Sequence, residues 1–210
     1  MNSADHVVMI VDDDYRVREA LQELLASAGL CSVAFGSAAE YIAYSRPDVP
    51  ACLILDVELP DINGLDLQQQ IGDGYHPPII FVTGHGNIPS SVRAIKAGAL
   101  DFLTKPFSDQ ELLSLVRVAL GQDRERRAGQ AALDHLRQRF QSLTPREREV
   151  LPLVISGLLN KQAAAHLGIS EVTLQIHRAN VMRKMAADSL ADLVRMAGSL
   201  DIPVSHSRHV

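Results

Sequence analysis

Through the first 120 residues, short apolar runs alternate with segments whose apolar positions recur every three or four residues. The runs Val7–Val11, Cys31–Phe35, Ala51–Leu55, Pro78–Val82 and Leu100–Leu103 are almost continuously apolar. A strand of that kind is buried on both faces, as in a parallel sheet covered by helices. Between the runs, Val17, Leu21, Leu24 and Leu25 have helical spacing, as do Val92, Ile95 and Lys96 with Ala99 beyond. The pattern predicts five strands alternating with five helices in an α/β fold.

Near Gly121 the pattern changes. Gln122 to Gln141 is rich in Arg, Gln, Glu and Ala, has a single Gly and no Pro, and carries Leu133, Leu136 and Phe140 on one stripe. That composition predicts a helical linker rather than a flexible one. Its short stripe leaves two readings open, a solvated connector and a coil that pairs with a second copy. Next, Thr144 is suited to cap a helix, Pro145 to its first position and Glu147 to completing a capping box. Three more short helices follow, with breaks at Gly157, at Gly168 and around Asp188, and with Ser170 and Ser189 as N-caps. No strand signal occurs here, so the second half is expected to be wholly helical. The predicted division is 6–120, then a linker over 121–141, then 142–203.

An apolar fraction of 47% over 210 residues suffices for packed cores and excludes a disordered or collagen-like chain. No run of eighteen apolar residues occurs, and Met1–His6 lacks the layout of a secretory signal. The expectation is therefore a cytoplasmic protein with no membrane partner. Cys31 and Cys52 lie in apolar runs and are expected to be core packing. The net charge of −5 is divided unevenly: residues 1–120 carry 16 acidic and 7 basic side chains, and residues 121–210 carry 9 and 13. The positive half is the one suited to approach nucleic acid.

In an open parallel sheet, ligands bind beyond the carboxyl ends of the strands. The polar residues fall there: Asp12 and Asp13 after the first strand, Asp56 after the third, Thr83 after the fourth and Lys105 after the fifth. Three converging carboxylates repel one another unless a cation sits among them, and hard oxygen donors suit Mg2+ or Mn2+. Such an ion bridges a carboxylate and an incoming phosphoryl group, while an ammonium and a hydroxyl hold the remaining oxygens. Lys105 and Thr83 suit those two roles, and Asp56 suits that of a nucleophile forming an acyl phosphate. Asp14 is expected to cap or solvate the first helix, Asp61 and Asp66 to do likewise around their turn, and His85 to be exposed rather than catalytic.

Val11-Asp12-Asp13, Leu55-Asp56 with Leu59-Pro60-Asp61 and Gly64, Val82-Thr83-Gly84, and Asp101-Phe102-Leu103-Thr104-Lys105-Pro106-Phe107 together resemble the receiver domain of two-component signalling. The resemblance implies a flavodoxin-like sheet of strand order 2-1-3-4-5, with Asp56 accepting phosphate from a sensor histidine kinase. It also implies Mg2+ ligation by Asp13, Asp56 and the backbone carbonyl of Glu58, with Asp12 acting mainly through the ligands. Phe102 occupies the position of the family's rotating aromatic, without the hydroxyl of a Tyr, and the Lys105–Pro106 bond is expected to be cis.

In the second half, two predicted helices are joined by Leu167-Gly168-Ile169-Ser170, a turn of the helix-turn-helix type. The second of them carries Gln175, Arg178, Arg183 and Lys184 on outward positions, with Leu174, Val181 and Met185 spaced to face a core. Leu143-Thr144-Pro145-Arg146-Glu147-Arg148-Glu149-Val150-Leu151, Asn160-Lys161 and Thr173-Leu174-Gln175-Ile176-His177-Arg178-Ala179-Asn180-Val181-Met182 resemble the LuxR-type DNA-binding domain. The whole chain is similar to the FixJ and StyR branch of the NarL family of response regulators.

That resemblance implies base contacts from Gln175, Ile176 and Ala179, and phosphate contacts from Lys161, Arg183 and Lys184, with Thr173 and Arg178 in the same DNA-facing set. Gln favours adenine and the apolar pair a thymine methyl. His177 is expected to be structural. The implied function is regulation of transcription: phosphorylation at Asp56 draws Thr83 inward, lets Phe102 turn, and promotes homodimerisation and binding to double-stranded DNA, with RNA polymerase as a further partner. No turnover activity is expected. The rival of another class, a magnesium-dependent phosphohydrolase, needs an acid two residues past its nucleophile, where Glu58 is a poor substitute, and a substrate-covering cap, which is not apparent. A DNA binder with a vestigial receiver is the third reading.

Overall fold

A computed structural model describes residues 5–71, 76–84 and 88–203. Strands β1 (Val7–Val11), β2 (Ser32–Phe35), β3 (Ala51–Asp56), β4 (Ile79–Thr83) and β5 (Asp101–Thr104) pair in parallel in the order β2-β1-β3-β4-β5. This is the expected order. Between them run helices α1 (Tyr15–Ser27), α2 (Ala38–Ala43), α3 (Gly64–Ile71) and α4 (Ile88–Lys96). The strands feed two cores because successive side chains point to opposite faces of a sheet. Met9, Leu53, Leu55 and Phe81 pack with Ala38, Leu65, Leu67 and Ala94 of α2, α3 and α4. Val8, Ile10, Ile54 and Ile80 pack with Leu21 and Leu25 of α1 and with Leu112 and Val116 of the last helix of this layer.

That last helix, α5, runs without interruption from Asp109 to Gln141. The linker expected as a separate element from residue 121 is its continuation, which accords with the lack of Pro and the single Gly. The chain divides into compact units at Arg127 and Ala128. The second unit is helical, with α6 (Pro145–Ile155), α7 (Asn160–Leu167), α8 (Glu171–Met185) and α9 (Leu190–Ser199) around Val150, Leu151, Leu174, Val181, Met185 and Leu193. Leu136 and Phe140 of the linker stripe pack against this core. The capping box forms as its sequence predicts: Glu147 donates its N–H to the Thr144 hydroxyl (3.3 Å) and accepts from the N–H of Thr144 through Oε2 (2.8 Å).

One expectation is corrected. Cys31 is exposed, because the edge strand β2 begins one residue later and is only partly covered. The helical spacing of Val92 and Ile95 falls within α4, where they are 45% and 47% exposed while Ala94 is buried. Cys52 is buried as expected, and burial drives its thiol pKa upward. His85 lies outside the described residues. Among the described residues no helix is long and apolar enough to cross a membrane.

Candidate functional site

β1, β3, β4 and β5 end beside one another, so the residues that follow their apolar runs converge on one cradle. Asp12 and Asp56 are buried, and Asp13 is exposed at its mouth. Carboxylate oxygens of all three lie within 4.8 Å of one another. The Lys105 ammonium reaches in from β5, 2.7 Å from Asp12 Oδ2 and 3.0 Å from Asp56 Oδ2. Its own backbone is fixed, since the N–H of Lys105 donates to the carbonyl of Thr83 at 2.8 Å. The Lys105–Pro106 peptide is cis.

Local hydrogen bonds set the loops around this cradle. The other oxygen of Asp12 accepts from the N–H of Asp14 (2.9 Å), and Asp14 in turn caps α1 by accepting from Arg16 N–H (2.8 Å). Asp56 Oδ1 accepts from the N–H of Glu58 at 3.0 Å, which folds the Glu58 backbone against the carboxylate. Gly64 starts α3 so close to β3 that a Cβ there would lie 2.2 Å from the carbonyl oxygen of Asp56. Asp61 accepts from the N–H groups of Ala38 and Ala39 at the start of α2, and these bonds hold its carboxyl below the usual range. Asp66 pairs with Arg93 at 2.5 Å.

Burial pushes the carboxyl of Asp12 above its ordinary value, and the bond to Lys105 only partly offsets this. Burial alone would lower Lys105, but its bonds to Asp12 and Asp56 outweigh it and carry the ammonium upward. One ammonium does not balance three carboxylates. The excess negative charge, the all-oxygen donor set and the exposed Asp13 fit a hard divalent cation, for which Asp12, Asp13 and Asp56 can supply oxygens. Thr83 is buried at the end of β4, and Phe102 is half-buried on β5 with its ring centroid 6.1 Å from that of Phe81.

A second candidate surface belongs to the helical unit. Gly168, in the left-handed region at φ 64°, ends α7, and Ser170 caps α8 by accepting from Thr173 N–H at 3.1 Å. Leu174, Val181 and Met185 are buried. Gln175, Ile176, Ala179 and Arg183 are exposed on the opposite side, and Lys161 is exposed on α7. At about 100° per residue those four α8 positions fall in an arc centred on Val172. Val172 is 66% exposed and was not singled out by the sequence pattern, whose only signal there is a β-branched apolar residue in the first turn of a capped helix.

Three members of the expected DNA-facing set have partners within the unit. Thr173 shares a 2.8 Å hydrogen bond with the Ser170 hydroxyl. Arg178 donates to Asn160 Oδ1 at 2.8 Å, bracing α8 on α7. Lys184 turns inward, 2.6 Å from Glu147 Oε2 and 3.2 Å from the carbonyl of Ser142, because the buried Glu147 carboxylate needs a counter-charge.

Residues 8–117 match the family described as response regulator receiver domain, and residues 141–197 match bacterial regulatory proteins of the luxR family. Nodulation protein W of Bradyrhizobium diazoefficiens is 50% identical over 98% of this chain and 91% of its own length. The response regulator protein TodT of Pseudomonas putida is 45% identical over 95% of this chain and 88% of its own. Among solved structures, response regulator StyR superposes with a TM-score of 0.83 at 46% identity, covering 92% of this chain and 98% of that one. Full-length FixJ from B. japonicum gives 0.55 at 36% identity, covering 97% of this chain and all of the other.

Proposed function

The chain belongs to the response regulators that join a receiver domain to a LuxR-type DNA-binding domain, and from that premise we propose that Asp56 is its phosphoacceptor. The protein is a transcriptional response regulator. The observation that carries the assignment of Asp56 is the cradle itself, a buried carboxylate at the end of β3 held 3.0 Å from the Lys105 ammonium and clustered with Asp12 and Asp13.

In the proposed step, a carboxylate oxygen of Asp56 attacks the phosphorus of a phosphohistidine on a sensor kinase. The P–N bond breaks, its electron pair returns to the imidazole, and an acyl phosphate remains. Asp13 and Asp56, with the backbone carbonyl of Glu58, would hold Mg2+ or Mn2+, and Asp12 would act mainly through those ligands. The ion, when bound, neutralises charge developing on the phosphoryl oxygens. Lys105 and the Thr83 hydroxyl are assigned to the oxygens that remain. Phe102 is assigned to take up the space Thr83 vacates. Turnover on a small substrate forms no part of this role.

The exposed Val92 and Ile95 on α4 support a surface that pairs with a second copy once phosphorylated. Paired copies would present two recognition helices to double-stranded DNA. Gln175, Ile176 and Ala179 are assigned to base edges, and Lys161 and Arg183 to phosphates. Contact with RNA polymerase and a cytoplasmic location follow from the same reading. The functional division is 6–120 for the receiver, 121–141 for the linker and 142–203 for the DNA-binding domain.

The test is to treat wild type and Asp56→Asn with acetyl phosphate and Mg2+, then measure intact mass and DNA affinity. Wild type is expected to gain one phosphoryl group and bind DNA more tightly. Equal gains in Asp56→Asn would remove Asp56 from the role.

A further inference from the structure

Arg18, in the second turn of α1, reaches back under the loop that carries the acidic residues. One guanidinium nitrogen, Nη1, donates to the backbone carbonyl of Asp12 at 2.7 Å and to that of Asp13 at 2.9 Å. Those carbonyls belong to the two peptide units on either side of the Asp13 Cα. Fixing both planes fixes the φ and ψ of Asp13, and with them the direction of its Cα–Cβ bond. The carboxylate of Asp13 is exposed, whereas Asp12 and Asp56 are buried and bonded to Lys105. The guanidinium lies over the ring of Tyr15, 5.8 Å from its centroid, and beside Gly36, where a Cβ would be in van der Waals contact with Nη1 at 3.5 Å.

We infer that Arg18 is a positioning residue for the divalent-ion site, holding Asp13 in ligating orientation by clamping both of its flanking carbonyls. The inference rests on the cradle being an ion site. Its sign sets it apart from a plain charge effect. A cation this close to the cluster opposes a second cation, so if Arg18 acted by charge alone, its removal would tighten Mg2+ binding. As a clamp, its removal weakens binding. Groups that orient metal ligands are typically worth about 10–100-fold in affinity.

The experiment titrates Mg2+ into the full chain by isothermal calorimetry for wild type, Arg18→Met and Asp13→Asn, with thermal melts in EDTA as a control on folding. Arg18→Met is expected to weaken Mg2+ binding about 10-fold or more while remaining folded in EDTA. Unchanged or tighter binding overturns the inference. If Asp13→Asn abolishes binding and Arg18→Met leaves it intact, only the clamp has failed. If Asp13→Asn binds like wild type, the ion-site reading has failed and takes the clamp with it. Should Arg18→Met not fold, Arg18→Gln decides, because it keeps a polar, uncharged side chain that is too short to bond both carbonyls: wild-type affinity there overturns the clamp, and weakened affinity supports it.

Discussion

Asp123 Oδ2 accepts the N–H of Ala51 at 2.9 Å, tying α5 to the first residue of β3 across 72 positions of sequence. Asp123 is fully buried, and Arg126 (2.7 Å) and Arg127 (3.0 Å) close over its carboxylate. Arg127 also bonds Asp48, and Arg126 bonds the carbonyl of His76. The strand that presents Asp56 at one end is therefore anchored at the other to the helix that continues into the linker.

Replacing Asp123 with Ala leaves two arginines and a strand N–H without their shared acceptor. Arg126 is 43% exposed and Arg127 keeps Asp48, so the main cost is the buried N–H of Ala51 left without an acceptor, about 1–3 kcal/mol. Urea denaturation of Asp123→Ala followed by circular dichroism should show a loss of that order in the receiver transition, and Asp123→Asn, which keeps an acceptor, a smaller one. A loss below about 1 kcal/mol in the Ala variant would mean that the knot is not stabilising.

Gly64→Ala should damage the cradle without altering any of its charges. The added methyl meets the Asp56 carbonyl oxygen at 2.2 Å, and the obstacle is backbone that no rotamer change can clear. Overpacking of this kind costs about 1–3 kcal/mol. The start of α3 or the end of β3 must shift, so phosphorylation by acetyl phosphate should slow along with the loss of stability. An Ala variant phosphorylated at the wild-type rate would show that the end of β3 tolerates the displacement.

The sheet was legible because strands buried on both faces are written as unbroken apolar runs: each observed boundary falls within a residue of its run, and the acidic residues follow directly. Arg18 and Asp123 were not legible. Arg18 looks like any charged residue on a solvated helix face, and its partners are backbone carbonyls, which sequence does not distinguish. Asp123 sits in a run of charges that reads as a solvated linker, and its partner is an N–H 72 residues away. Lys184 was misplaced for a related reason. Helical spacing put it on the outer flank of α8, but a four-carbon stem lets the ammonium swing to the buried Glu147.

Acid should unfold the helical unit through Glu147. Burial opposes its charge, yet the bonds from Lys184 and Thr144 prevail and hold its carboxyl below the ordinary 4.5. A carboxyl with a depressed folded value contributes stability that is present above the unfolded value and lost as pH falls through the folded one. Melting temperatures of wild type should therefore decline as pH falls below 4.5, and Glu147→Gln should be less stable near neutrality with a shallower decline. Parallel curves for the two proteins would place the acid sensitivity elsewhere.

Lys184 and Arg183 are neighbours in sequence, yet they should differ in what they do to DNA binding. Each lysine or arginine that neutralises a DNA phosphate adds about 0.9 to the slope of log affinity against log salt, because a condensed counterion is released. Arg183 on α8 and Lys161 on α7 are exposed, so Arg183→Met and Lys161→Met should each lower the magnitude of that slope by about one with little change in stability. Lys184 is spent on Glu147 and the carbonyl of Ser142, so Lys184→Met should leave the slope unchanged while destabilising the domain. Fluorescence anisotropy with duplex DNA across a salt series, paired with thermal melts, separates the two effects. A reduced slope with an unchanged melt in Lys184→Met would mean that the ammonium leaves Glu147 for the DNA backbone. In that case the inward pairing is a resting contact rather than a structural one.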